Sequence, residues 1–394
     1  MSALSHASDF RKSVKTFIEV FITNMKKLLL RILICGMRFL YFLMKRFTQV
    51  DDKAVFLSRQ SDTPSENFQL LIDEFALYAP HYTCETYCKL GLKSSMGLRD
   101  IGMMLRQMKA LAGARVCITE SYCIPVSLLK HKKELKVIQI WHSMVAIKQF
   151  GWQTVGKPEG SSPAVAKLMR MHAGYDYVIV GSDYMRAFFA EAMHTPIEKI
   201  LPLGLPSADR ILQNGSASDE LRAAFYAAYP KAEGKKIVVY LPTMRRGRPV
   251  NCAELVERFD YDSFALAIKL HPLDKDTVIY NSHMILDTQF TTEQAIALAD
   301  VIISDYSGAA AEAALLGKPV YFFTPDLAEY DWYCGLNVNP TEVFPHVSFI
   351  EAVPLIKAIG SERATQEDID QVRELLCGGC DGNSTENIVA LAIR

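Results

Sequence analysis

From Lys53 onward, short runs rich in β-branched and aromatic residues alternate with helix-length segments. This alternation confines the chain to βα units built into parallel sheets. The expected strands of the first half are Ala54–Leu57, Thr86–Leu90, Arg115–Thr119, Val137–Trp141, Tyr177–Val180 and Ile200–Leu203. Those of the second half are Ile237–Leu241, Ala265–Leu270, Met284–Leu286, Val301–Ser304 and Val320–Phe323. A polar, turn-rich stretch, Gln213-Asn214-Gly215-Ser216-Ala217-Ser218, separates the two sets. At 394 residues the chain is long enough for two domains. The expected organisation is an α/β fold with Rossmann-like domains at residues 51–215 and 216–394, preceded by a helical arm at residues 1–50. Two such sheets facing one cleft place a ligand at the carboxyl ends of their strands.

The arm differs in composition from the rest. Lys+Arg and Asp+Glu nearly cancel over the whole chain, 43 against 44, which argues against a general nucleic-acid binder. Between Arg11 and Arg46, however, Arg11, Lys12, Lys15, Lys26, Lys27, Arg31, Arg38, Lys45 and Arg46 face Glu19 alone. Arg31 and Arg38 interrupt the apolar run from Leu28 to Met44, so it does not read as a bilayer span. On a helix, Lys27, Arg31, Arg38 and Lys45 line one face and the apolar residues form a broad second one. That is the pattern of a helix lying in a membrane interface and drawn to anionic headgroups; the alternative is a buried helix whose arginines snorkel to water. The nine cysteines are odd in number and scattered, as expected in a reducing compartment.

Several strand ends carry chemistry. Ser304-Asp305-Tyr306-Ser307-Gly308 closes a buried strand and opens a small-residue helix. Free amide N–H groups there suit a phosphate, with the Ser307 hydroxyl beside them and Gly308 allowing close approach. Glu312 follows on the same helix, placed to accept from ribose hydroxyls; equally, Ser307 serves as an N-cap and Glu312 as a solvated charge. Lys269-Leu270-His271-Pro272 ends another strand in a histidine able to donate to phosphate oxygens, and Pro242-Thr243-Met244-Arg245-Arg246-Gly247-Arg248 ends a third in guanidinium groups. In the first half Trp141-His142-Ser143 ends a strand, with Lys148 and Gly151 soon after, and His142 suits a general base near neutral pH. One histidine from each half, arginines and a helix start at converging strand ends point to phosphate chemistry. Neither a Gly-x-x-x-x-Gly-Lys-Ser/Thr loop nor a Gly-x-Gly-x-x-Gly loop after the first strand is present. Cys377-Gly378-Gly379-Cys380 has no second pair and no Asp-x-Asp stands at a strand end, so neither a metal nor a cofactor is expected.

Taken in order, Val55-Phe56-Leu57-Ser58-Arg59-Gln60, Trp141-His142, Gly204-Leu205-Pro206-Ser207-Ala208-Asp209, Pro242-Thr243-Met244-Arg245, Lys269-Leu270-His271-Pro272, Ser304-Asp305-Tyr306-Ser307 and Asp326-Leu327 with Tyr330 resemble the CDP-glycerol glycerophosphotransferase family of teichoic-acid primases and polymerases. The resemblance spans about residues 53 to 390. It implies a GT-B fold and in-line transfer of glycerol phosphate from CDP-glycerol to a hydroxyl of a polyprenyl-linked glycan, releasing CMP. By resemblance His142 is the general base, and His271 with Arg245 and Ser307 is the pyrophosphate clamp. Lys269, Gly308 and Glu312 fall on the donor side, while Trp141 and Asp305 support the site. A peripheral enzyme on the cytoplasmic face of an anionic cell membrane follows from the same resemblance and the basic arm, with a homo-oligomer left open. Three departures stand out: Ser143 for a glycine, Ser207 for an arginine and Gly308 for a second serine. They leave CDP-ribitol open as the donor. About 340 residues beyond the arm suit two sheets and nothing else, as in a primase. The competing readings are a GT-B glycosyltransferase using a nucleotide sugar and a catalytically silent membrane scaffold that binds glycan.

Overall fold

The computed structural model describes residues 25, 27–90, 98–158, 160–245, 247–271, 273–274 and 276–394. The arm residues 1–24, Lys26, Arg246 and Pro272, all invoked above, lie outside the described residues. The first sheet holds β1 (Lys53–Ser58), β2 (Thr83–Cys88), β3 (Val116–Thr119), β4 (Lys136–Gln139), β5 (Tyr177–Ile179) and β6 (Ile200–Leu201). The second holds β7 (Lys236–Leu241), β8 (Phe264–Ile268), β9 (Ile285–Leu286), β10 (Val301–Ser304), β11 (Val320–Phe323) and β12 (Ser348–Phe349). Every expected strand is present within a few residues of its reading. One further strand, β12, two residues long, is not among the expected ones.

All strand pairs are parallel, in the orders β2-β1-β3-β4-β5-β6 and β12-β11-β10-β7-β8-β9. Central strands such as β1 and β10 are covered on both faces, which is why they read as continuous apolar runs rather than alternating ones. In each sheet the chain starts in the middle, runs to one edge and returns to the other side. The switch points lie between β1 and β3 and between β7 and β10, and the crevice outside them receives loops from several strands.

The lobes are not divided at residue 216 throughout. The last helix, Ser384–Ile393, returns to pack on the first-lobe helices Glu66–Tyr78 and Pro206–Asn214. Asp209 fixes it by accepting from the Ser384 and Thr385 amides at 2.9 and 2.7 Å and from the Thr385 hydroxyl at 2.7 Å. The expectation of one unit over 216–394 is corrected at its end, because the apolar stripe of this helix finds its cover on the first lobe.

Residues 27–47 form a helix. Its buried side chains, Ile34, Met37 and Tyr41, share one face at helical spacing and dock on the first lobe. The same geometry brings the cationic row to the docked side. Arg38 Nε donates to the Leu128 carbonyl at 3.2 Å, and Lys45 donates to that of Lys130. Arg38 and Lys45 thus each give a donor to a carbonyl at or just beyond the end of the short helix Ile124–Leu128. The outward face carries Leu28, Leu29, Ile32, Leu33, Phe39, Leu40, Leu43 and Phe47, all exposed.

Tyr41 locks the docking. Its hydroxyl donates to His131 Nδ1 at 2.7 Å, while His131 Nε2 donates to the Val126 carbonyl at 3.0 Å. Burial lowers the His131 pKa and keeps the ring in the neutral form that this pairing requires. Tyr41→Phe leaves Nδ1 buried without a donor, a loss of about 1–3 kcal/mol. Denaturant unfolding should show the midpoint of this variant falling with the m-value unchanged.

Candidate functional site

A cavity of about 730 Å³ opens between the two lobes. His142, three residues beyond the Gln139 end of β4, and His271, three beyond the end of β8, both line it, as do Ser307, Gly308, Glu312, Trp141 and Arg245. The two histidines that the sequence placed on opposite halves thus share one crevice.

Trp141 turns the chain at the end of β4. It has φ 54°, a left-handed conformation rare for a large side chain, and its amide donates to the Gln139 side-chain oxygen at 2.8 Å. The indole stacks on Phe150 at 5.0 Å between ring centres and meets the edge of His172 at 5.4 Å. This packing offsets a backbone cost of order 1–3 kcal/mol and delivers His142 to the cavity floor. The Gln60 amide lies 3.1 Å from His142 Nδ1. That contact is made by the side-chain amide nitrogen of Gln60. His142 shows an exposed edge to the cavity, yet protein crowds the rest of the ring. Desolvation, aided by the Lys148 charge and opposed by the Glu120 backbone, lowers its pKa to about 4. The imidazole is neutral at pH 7, as a proton acceptor must be.

On the opposite wall His271 Nδ1 accepts from the Leu273 amide at 3.1 Å, so in the neutral ring the proton sits on Nε2 as a donor. Ser307 and Gly308 open the helix Ala309–Leu315, and Ser307 Oγ caps the Ala309 amide at 3.3 Å. Glu312 borders this cavity and also a second one of about 730 Å³ lined by Ser207, Asn214, Thr291 and Thr292. That second space adjoins the interlobe charge cluster of Glu66, Arg210 and Glu293 and contains no histidine, so the chemistry belongs to the first.

Two of the donor-side residues are engaged within the protein. Arg245 reaches the cavity wall but spends its guanidinium inside the protein. Nη1 pairs with Asp305 at 2.9 Å and donates to the Thr243 carbonyl, while Nε and Nη2 grip Asp326 at 2.7 and 3.0 Å. The group also lies 4.5 Å from the centre of the Tyr330 ring and 5.1 Å from that of Tyr306. These bonds tie it to the loops that shape the site. Lys269 does not line the cavity at all; its ammonium pairs with Asp287 at 3.2 Å and with the Phe290 carbonyl, closing the loop after β9. Asp305, fully buried, accepts from the Thr243 amide at 2.9 Å and supports Arg245, as its supporting role requires. Cationic charge at the cavity comes instead from Lys148 and from Arg248, which pairs with Glu329 and lies over Tyr333 at 4.9 Å.

Sequence reasoning missed His172, buried behind Trp141 at φ 58° with Tyr175 Oη 3.3 Å from its Nδ1. Nothing local marks it, since it follows no strand. Cys377 and Cys380 are buried packing residues, with Cys380 Sγ 3.7 Å from the Gly181 carbonyl across the lobe boundary.

Burial, then repulsion from Glu293 and Glu66, raises the Glu312 pKa to about 7 against the pull of Arg210. The folded state therefore favours the neutral acid, and that advantage is lost as pH rises through 7. Glu312→Gln should unfold about 2 °C or more above the parent at pH 8 and lose most of that gain at pH 5, as followed by circular dichroism.

Comparison with known proteins agrees with this geometry. A family model described as CDP-Glycerol:Poly(glycerophosphate) glycerophosphotransferase matches residues 40–393. The chain is 30% identical over 295 residues, 71% of its length and 74% of the relative's, to a teichoic acid ribitol-phosphate primase of Bacillus spizizenii. It is 26% identical over 297 residues, 73% and 75% of the two lengths, to a teichoic acid glycerol-phosphate primase of Bacillus subtilis. In fold it is similar to the wall teichoic acid polymerase TagF, with a TM-score of 0.68 at 19% identity, covering 98% of this chain and 97% of that one. The chain belongs to the CDP-glycerol:poly(glycerophosphate) glycerophosphotransferase family.

Proposed function

We propose that this chain transfers glycerol phosphate from CDP-glycerol to a hydroxyl of a membrane-linked acceptor in teichoic-acid synthesis, acting as a primase and releasing CMP. The observation that carries the reading is the meeting of His142 and His271 from opposite lobes in one cavity beside Ser307 and Gly308. The acceptor oxygen attacks the phosphorus that bears glycerol and gives its proton to the His142 imidazole. The bond from that phosphorus to the bridging oxygen breaks, and the electron pair leaves on CMP. The His271 Nε2–H and the Ser307 hydroxyl are placed to meet charge on the phosphates, and Lys148 and Arg248 add a positive field. CDP-ribitol is the second reading, favoured by the identity to the ribitol-phosphate primase.

Purified protein should release CMP from CDP-glycerol or CDP-ribitol in the presence of a lipid-linked disaccharide, and no nucleotide from UDP-sugars. His142→Ala should lower turnover by about 10²–10⁴ with little change in donor affinity. Release from UDP-sugars alone would replace this reading with a glycosyltransferase.

The acceptor's lipid also gives the exposed helix face a use. No described helix is long and apolar enough to cross a membrane. The face of Leu29, Ile32, Phe39 and Leu43 suits the acyl boundary of the cytoplasmic leaflet, with the exposed Lys133 on a nearby loop toward anionic headgroups. Ile32→Ser with Phe39→Ser should weaken co-sedimentation with phosphatidylglycerol vesicles by about tenfold or more, since each buried side chain contributes about 1.5–3 kcal/mol. Undiminished binding would remove this face from the membrane contact.

A further inference from the structure

Gly308 is a glycine that its backbone does not require. With φ −61° and ψ −18° it sits in the ordinary right-handed helical region, open to any residue. The space its side chain would fill is instead taken by the other lobe. A Cβ at 308 would lie 3.2 Å from Ser143 Oγ and 3.7 Å from Val145 Cγ2. Ser143 is not free to yield, because its hydroxyl donates to the Val145 carbonyl at 2.9 Å and accepts from the Val145 amide at 3.3 Å. The contact joins the two walls at the cavity, since both residues line it. It also joins the two groups assigned chemistry, because Ser143 follows His142 and Gly308 follows Ser307.

We propose that Ser143 against Gly308 is the interlobe stop that fixes how closely the His142 wall approaches the Ser307 turn, making Ser143 a positioning residue for transfer. This rests on the functional reading above. The neighbouring segment supports a stop at this point and not a free hinge. Beyond Ser143 the first-lobe chain is laced to the second lobe, with the Asn337 amide donating to the Ile147 carbonyl at 2.9 Å and the Gln149 amide to that of Gly335 at 3.0 Å. A methyl group at 308 must therefore be absorbed by moving the His142 wall, and transfer depends steeply on the spacing of the attacking and accepting groups.

The test is a double-substitution cycle in the full chain with Gly308→Ala, Ser143→Ala and both together. Gly308→Ala should lower kcat about tenfold while CDP affinity, read by calorimetric titration, changes less than about threefold. Adding Ser143→Ala should recover most of the lost kcat. If the double variant is no better than Gly308→Ala, or if the loss falls on CDP affinity alone, the methyl group obstructs the donor directly and the stop is refuted. Thermal unfolding of the same four proteins gives a readout that needs no substrate: Ser143→Ala should offset the Tm loss caused by Gly308→Ala, and additive losses refute the contact. Parent protein that turns over neither CDP-polyol overturns the functional reading, and the unfolding cycle then decides the contact by itself.

Discussion

The guanidinium of Arg245 holds the second lobe's half of the crevice together. It ties the loop after β7, through the Thr243 carbonyl, to Asp305 at the end of β10 and to Asp326 beyond β11. Tyr306 and Tyr330, stacked at 4.1 Å between ring centres, roof the ion. Three strand ends thus converge on one buried cation shared by two carboxylates. A buried charge left without its partner costs about 3–5 kcal/mol, so none of the three loops can move independently of the others. Ser307 and Gly308 follow Asp305 and Tyr306 directly, and their position in the crevice is set by this knot.

The strands were readable because a buried parallel strand is a local pattern: four to six apolar residues bounded by turn formers. The convergence of His142 and His271 was readable too, since strand ends in open sheets meet at one edge whatever the details. What could not be read is where a charged side chain spends its hydrogen bonds. Arg245 stands at a strand end like a phosphate ligand, but its partner Asp326 lies 81 positions later, and nothing near either residue announces the pairing. Lys269 is the same case, turned to Asp287. The arm shows the limit from another side. Its sequence gives two helical faces and their chemistry, while the choice of which one docks depends on carbonyls at Leu128 and Lys130, far along the chain.

His142 and Glu312 show how the crevice treats charge. Both are crowded by protein, and in both the neutral form is favoured, with the imidazole pKa pushed down and the carboxyl pKa pushed up. The same low-dielectric walls that disfavour an isolated charge strengthen the attraction between opposite ones. On the proposed reading, the ligand that enters is a diphosphate. Its negative charge beside His142 opposes the desolvation and the Lys148 field that keep the ring neutral, and so raises the ring's affinity for a proton once the donor is in place. The base then gains strength only with substrate bound. An imidazole already charged in the empty cleft would have no lone pair to offer the acceptor hydroxyl, and the lowered pKa of the free protein extends the neutral, accepting form to more acidic pH until the charge that strengthens it arrives.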